Sequence, residues 1–187
     1  QLFQALKPVV AKHGVKPGQV ILIHGQFIRP DQVQALKSLG IFPSMFPMHT
    51  FYWGDWYKQI VGPEQAAQIS PMRSILNTGL HATSHTDAPV ALPNLMQVVW
   101  ATVNRTSRSG TVIGPDERVT PYEAMKMITL WGAEQFGEQA TKGSLEAGKL
   151  ADLVVLSANP LTVDPMTINQ IQVLETIKEG KLVWARK

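Results

Sequence analysis

Three times within its first 84 residues the chain repeats one pattern: a helix-forming stretch closed by glycine, then a short apolar run. Residues 2–13 place Leu2, Phe3, Leu6, Val9 and Val10 on a helical stripe that stops at Gly14, with Pro8 expected to kink or shorten it. Val20, Ile21, Leu22 and Ile23 follow, apolar on both faces and ending in His24, as suits a strand of a parallel sheet covered on both sides. The second unit is a helix over 31–39, Gly40, and a run over 41–48 made irregular by Pro43 and Pro47. In the third, Ser70-Pro71 opens a helix, Gly79 closes it, and residues 80–83 form a strand. Such alternation belongs to a parallel α/β architecture.

Downstream, residues 94–103 read as a helix and 106–118 as a polar loop carrying Gly110 and Gly114. Thr120-Pro121-Tyr122-Glu123 is a capping box with proline at the first helical position, opening a helix to about Phe136. After Gly137 the character changes to β-rich stretches over 153–156, 172–177 and 181–184, separated by turns such as Asn159-Pro160 and Glu179-Gly180. The expected organisation is a barrel-like α/β body over residues 1–140 and a small β appendage over 141–187.

Composition narrows the function. Apolar residues make up 44% of the 187 and charged residues 17%, a globular balance rather than a disordered one. The net charge of +3 is spread without runs, which falls short of a nucleic-acid-binding stripe. There is no cysteine, so disulfides and thiolate metal sites are excluded; this fits a reducing compartment, and the cytoplasm is the expected location. No apolar run is long enough for a membrane span and no signal peptide opens the chain, so neither nucleic acid nor membrane is an expected partner. The first residue is Gln1 rather than Met, which leaves a processed or truncated chain open.

In parallel α/β folds functional groups gather at the carboxyl ends of the strands. Here the first strand ends in His24, the second in His49, and the third runs into Ser84-His85-Thr86-Asp87. Imidazole and carboxylate suit a borderline divalent cation such as zinc. A single histidine closing a strand is more often a hydrogen-bonded structural residue, but the coincidence of all three ends favours a site. His13 belongs to a helix terminus and His81 opens a strand on its far face, so both read as structural. The aromatics of residues 51–57, Trp53 among them, either line a substrate pocket or pack as a long loop over the barrel mouth. Arg73 stands in the first turn of a helix, against the dipole, so it either holds a carboxylate or substrate or is simply solvated. No phosphate-binding glycine motif and no GxSxG elbow is present.

Gly143-Ser144-Leu145-Glu146-Ala147-Gly148-Lys149-Leu150-Ala151-Asp152-Leu153-Val154-Val155-Leu156 resembles the signature with which amidohydrolase-superfamily chains leave the barrel and re-enter a small β-sandwich. Thr86-Asp87-Ala88-Pro89-Val90 is similar to the "SDAPV" turn of amidohydrolase family 3, and the stretches around His24 and His49 match that branch's sixth and seventh strands. The resemblance covers nearly the whole chain. It implies the C-terminal part of a (β/α)₈ TIM barrel, strands six to eight, followed by a few strands of the β-sandwich. It implies one or two divalent metals, usually zinc, and water attack on C–N bonds other than peptide bonds in a small amide-type substrate. Carried over, His24 and Asp87 are metal ligands, Asp87 also takes the proton of the attacking water, and His49 contacts substrate. Trp53, Arg73 and His85 are further candidate substrate contacts.

The family's paired HxH histidines, bridging Lys or Glu and fifth-strand histidine have no counterpart among these residues, and Ile23 stands where an acidic residue often precedes the sixth-strand histidine. Some five barrel strands would then lie outside the chain. Open sheet edges and an apolar inner face call for self-association or pairing with an upstream half. The chain alone is expected to bind metal weakly and turn over little. The competing reading is a non-catalytic α/β fragment with a structural or assembly role.

Overall fold

The computed structural model describes residues 1–16 and 18–187, and the alternation folds into a three-stranded parallel sheet of order β1-β2-β3. β1 (Ile21–His24) pairs with β2 (Phe42–Met45) from Ile21 opposite Phe42 to His24 opposite Met45. β2 pairs with β3 (Thr83–Ser84) through Ser44 opposite Thr83 and Met45 opposite Ser84. All three run the same way, so whatever follows them gathers on one rim.

The connecting helices follow local chemistry. α1 (Leu2–His13) runs through Pro8 without ending there. Both Pro8 and Gln4 are exposed, so the carbonyl that proline leaves without a partner is met by water. α2 (Pro30–Leu39) starts on proline, with the Gln32 side chain accepting from the Arg29 N–H at 3.0 Å. It buries Val33, Leu36 and Leu39 against the sheet and stops at Gly40, whose φ of 65° is the left-handed cap that glycine adopts without strain.

Four expectations are corrected. The second strand ends at Met45, not Met48, and residues 48–60 form α3 (Met48–Ile60) where a loop was expected. Aromatics have modest helix propensity, but here packing decides. Phe51 meets Trp100 edge-on at 5.7 Å, and Gly54 faces Ile113 so closely that a Cβ would lie 2.8 Å from Ile113 Cγ1. The third strand is only Thr83–Ser84, and His81 lies outside it, two residues before its start. The helix expected to run to Phe136 breaks into α7 (Pro121–Met127) and α8 (Leu130–Gln135) at Thr129, whose hydroxyl bonds back to the Met125 carbonyl at 2.7 Å.

Between α3 and β3 lie α4 (Pro63–Ala67) and α5 (Met72–Asn77), and after β3 comes α6 (Leu95–Asn104), capped by Asn94 accepting from Gln97 N at 3.1 Å. The C-terminal segment is an antiparallel meander of β4 (Leu153–Leu156), β5 (Val173–Lys178) and β6 (Lys181–Ala185). Glu179 and Gly180, at φ 50° and 78°, make its two-residue hairpin turn. A 3₁₀ turn, Pro165–Gln170, joins this sheet to α6: Trp100 Nε1 donates to Met166 O at 3.0 Å and Asn104 Nδ2 to Pro165 O at 2.8 Å. No helix among the described residues is long and apolar enough to cross a membrane.

Candidate functional site

The rim above the parallel sheet carries the titratable cluster. His24 is the last residue of β1 and turns out of it at φ 68°. The ladder continues one step past β3, His85 N donating to Met45 O at 3.0 Å, which sets His85 beside β2 and facing His24. Asp87, two residues on, has φ 52° and accepts at its carbonyl from Val90 N at 2.7 Å, closing a tight turn. His24 Nε2 and Asp87 Oδ2 approach to 3.3 Å without the alignment of a hydrogen bond. The His24 and His85 rings stack with centroids 5.1 Å apart. One ligand atom from each of His24, His85 and Asp87 lies within 4.8 Å of the other two.

His49 is not at a strand end. It occupies the first turn of α3, placed by the Phe46-Pro47 corner, and its ring meets His24 edge-on at 5.6 Å. Trp53 stands four residues later on the same helix face, 5.9 Å from the His49 ring, which puts an aromatic wall beside the imidazoles. Phe46 was not anticipated as part of the site. Only 1% exposed, it contacts His24, His49 and His85 at centroid distances of 5.6, 4.8 and 5.5 Å and fixes how the three rings face one another. Its position directly after the β2 run was the available signal, but a phenylalanine there reads as core.

Arg73 is not brought to this cluster. Its guanidinium forks onto Glu123 at 2.9 and 2.6 Å, and its Nε donates to Arg118 O at 3.2 Å. The cation placed against the helix dipole is thus held by an internal carboxylate, and the expectation of a substrate contact gives way to a clamp between α5 and α7. His81 pairs with Glu134 at 2.6 Å and stacks on Trp131, contacts that involve none of the rim residues.

Burial shapes the site's electrostatics. His49 is pushed down to about 4, first by burial and then by the neighbouring His24 and His85, against a smaller pull from Asp87. His85 is lowered for the same first reason. Both imidazoles are therefore neutral near pH 7, the form that ligates metals and accepts hydrogen bonds. The Nε2 atoms of His24 and His85 are covered yet have no hydrogen-bond partner. Orphaned buried polar atoms are costly, and two imidazole nitrogens with one carboxylate oxygen are a ligand set that a divalent cation satisfies. A groove lies elsewhere, between β4–β6 and α6–α7, lined by residues such as Met96, Met125, Ile128 and Trp184 and by none of the rim residues.

With this geometry in place, the family profile described as "Amidohydrolase family" matches residues 1–184. The chain belongs to the amidohydrolase family, in the family 3 branch. It is 32% identical over 166 residues to the N-substituted formamide deformylase of Arthrobacter pascens, covering 88% of this chain and 31% of that protein. Its fold is similar to that of an uncharacterised metal-dependent hydrolase from Pyrococcus horikoshii OT3, with a TM-score of 0.70 and 24% identity over 88% of this chain and 33% of that one. It is also similar to an adenosine deaminase from Xanthomonas campestris with bound zinc, with a TM-score of 0.66 and 18% identity over 97% of this chain and 43% of that one. The amidohydrolase chain thus spans about a third of the length of the curated relative it matches.

Proposed function

We propose that these residues supply strands six to eight of a (β/α)₈ barrel (residues 1–140) and part of a small β-sandwich (residues 141–187), and that the intact protein hydrolyses C–N bonds other than peptide bonds in a small amide-type substrate. The observation that carries this reading is the convergence of His24, His85 and Asp87 on one rim of a parallel sheet, with both imidazole Nε2 atoms lacking partners. His24, His85 and Asp87 would hold a divalent cation, zinc by the chemistry of the donors. When bound, such an ion supplies Lewis acidity that brings the pKa of water toward neutrality. Asp87 accepts the proton of the attacking water and returns it to the leaving nitrogen. His49 and Trp53 line the approach, the first as a neutral acceptor and the second as an apolar wall. His85 moves, in this proposal, from substrate contact to ligand.

The 32% identity to the formamide deformylase makes an N-substituted formamide the first substrate to test. The test uses a protein in which this chain follows an upstream half carrying the remaining strands, with metal content and turnover compared against Asp87→Asn in the same protein. A fall in turnover of about 10²-fold or more is expected for a lost proton acceptor. Equal turnover in the two removes Asp87 from the reaction. The 187 residues alone are expected to bind zinc weakly, and tight stoichiometric zinc in the isolated chain contradicts that part of the proposal.

A further inference from the structure

Two residues close to His49 have no part in the hydrolytic reading. Ser70 is fully buried at φ 48°, and Arg105 is 1% exposed at φ 53°. Left-handed backbone is uncommon outside glycine and is strained for residues that carry a Cβ. Among the described residues five non-glycine positions adopt it: His24, Ser70, Asp87, Arg105 and Glu179. Glu179 is explained by a hairpin turn, while His24 and Asp87 belong to the rim site. Arg105 is the left-handed cap that ends α6, its N–H donating to Ala101 O, and Ser70 is left to be explained.

Their contacts form a chain that ends at His49. Arg105 spreads its guanidinium over backbone carbonyls, Nε to Ile113 at 2.7 Å, one Nη to Ser70 at 3.0 Å, and the other to Ile69 at 2.6 Å and Ala67 at 3.3 Å. Burial lowers its pKa to about 10, so it stays charged at neutral pH without a bonded carboxylate. Three of these bonds tie the segment between α4 and α5 to Arg105. The segment is fixed from the other side too, Ser70 N donating to Gln26 O at 2.9 Å, two residues after His24. Held there, Ser70 Oγ lies 3.1 Å from Phe46 O and 3.5 Å from His49 Nδ1. A serine hydroxyl has one proton. Given to the Phe46 carbonyl, it leaves only lone pairs toward His49, a contact that is satisfied when the neutral imidazole carries its proton on Nδ1 and not on Nε2.

We propose that Arg105 and Ser70 are positioning residues that fix His49 as its Nδ1–H tautomer, so that Nε2 presents a lone pair beside the His24, His85 and Asp87 cluster. An acceptor in that place suits a substrate bearing an N–H or O–H next to the scissile carbon, as a secondary amide does. This use of the acceptor rests on the hydrolase reading, whereas the tautomer itself does not.

The test is long-range ¹H–¹⁵N spectroscopy of the histidine side chains in the ¹⁵N-labelled 187-residue chain, with His49 assigned from its loss in His49→Gln. The expected result is an Nδ1–H pattern for His49 in the native chain. Ser70→Ala should move His49 toward the Nε2–H form that free imidazole side chains favour in water. Arg105→Lys keeps a charge but not the fan of bonds, and should move His49 the same way although Ser70 is intact. Far-UV circular dichroism separates this from unfolding, and Ser70→Ala decides the matter should Arg105→Lys fail to fold. An Nε2–H pattern in the native chain, or an unchanged tautomer in folded Ser70→Ala, overturns the proposal. An Nδ1–H pattern here, together with no zinc-supported turnover in the protein that also carries the upstream half, upholds the positioning chain and removes the hydrolase reading instead.

Discussion

At the scale of single residues, the site is a bargain between backbone strain and side-chain aim. His24 leaves β1 at φ 68° and Asp87 turns at φ 52° three residues past β3, which lets an imidazole and a carboxylate approach to 3.3 Å. His85 needs no such turn, because one more ladder bond beyond β3 delivers it. If His85 is a ligand, His85→Ala in the extended protein should weaken zinc affinity by about 100-fold or more in competition with a chromophoric chelator. His81→Ala removes an imidazole that pairs with Glu134 outside the cluster and should leave the affinity unchanged. Equal weakening by the two, or by neither, would take His85 out of the metal site.

At the scale of elements, the helices beneath the rim are held by specific polar contacts. Glu123 is at once the third residue of the α7 capping box and the partner of Arg73 on α5, and its carboxyl is held down to about 2, chiefly by the Arg73 hydrogen bonds. A carboxyl depressed in the folded state contributes stability above its unfolded pKa, near the model-compound value of 4.5, and that contribution is lost as pH falls toward 2. Urea midpoints measured from pH 6 down to 2 should fall through this window. Glu123→Gln should start lower at pH 6 by about 1.5–3 kcal/mol and show a flatter acid limb. Parallel curves for the two proteins would remove the clamp from the acid response. The loop after α6 is equally constrained at Gly114, where φ is 60° and a Cβ would sit 1.8 Å from Ala67 O. Gly114→Ala is therefore expected to cost more than about 1 kcal/mol, read as a drop in thermal midpoint. An unchanged midpoint would mean that α4 moves freely against this loop.

At the scale of the whole molecule, two three-stranded sheets of opposite kind are joined through α6 and the 3₁₀ turn at Pro165–Gln170. Ile168 is fully buried in that joint and belongs to the same apolar cluster as Val99 and Met127. Ile168→Ala should cost about 2–5 kcal/mol and shift the whole transition. Tryptophan fluorescence and far-UV dichroism should still coincide; separate transitions for the two probes would show that the sheets unfold independently. Open edges remain on both sheets, with Ile23 54% exposed on β1 and Leu182 and Val183 about as exposed on β6. Apolar strand surface of this kind invites another chain or segment.

The sequence by itself carried the helix–strand alternation of the parallel sheet and the three C-terminal β stretches, because helical stripes, glycine stops and short β-branched runs act over a few residues. It also carried His24, His85 and Asp87 as residues near strand ends, and the motif at 143–156 carried the family. It did not carry the helix at Met48–Ile60, where aromatic packing on Trp100 and Phe46 outweighed weak local propensity. Nor did it carry Arg73 onto Glu123, Phe46 among the three imidazoles, or Arg105 onto the segment that ends in Ser70. These pairings join residues separated by 35 or more positions, or turn on which way a ring faces. Only the packed chain decides such things, since a sequence specifies which side chains are available and tertiary packing specifies which of them meet.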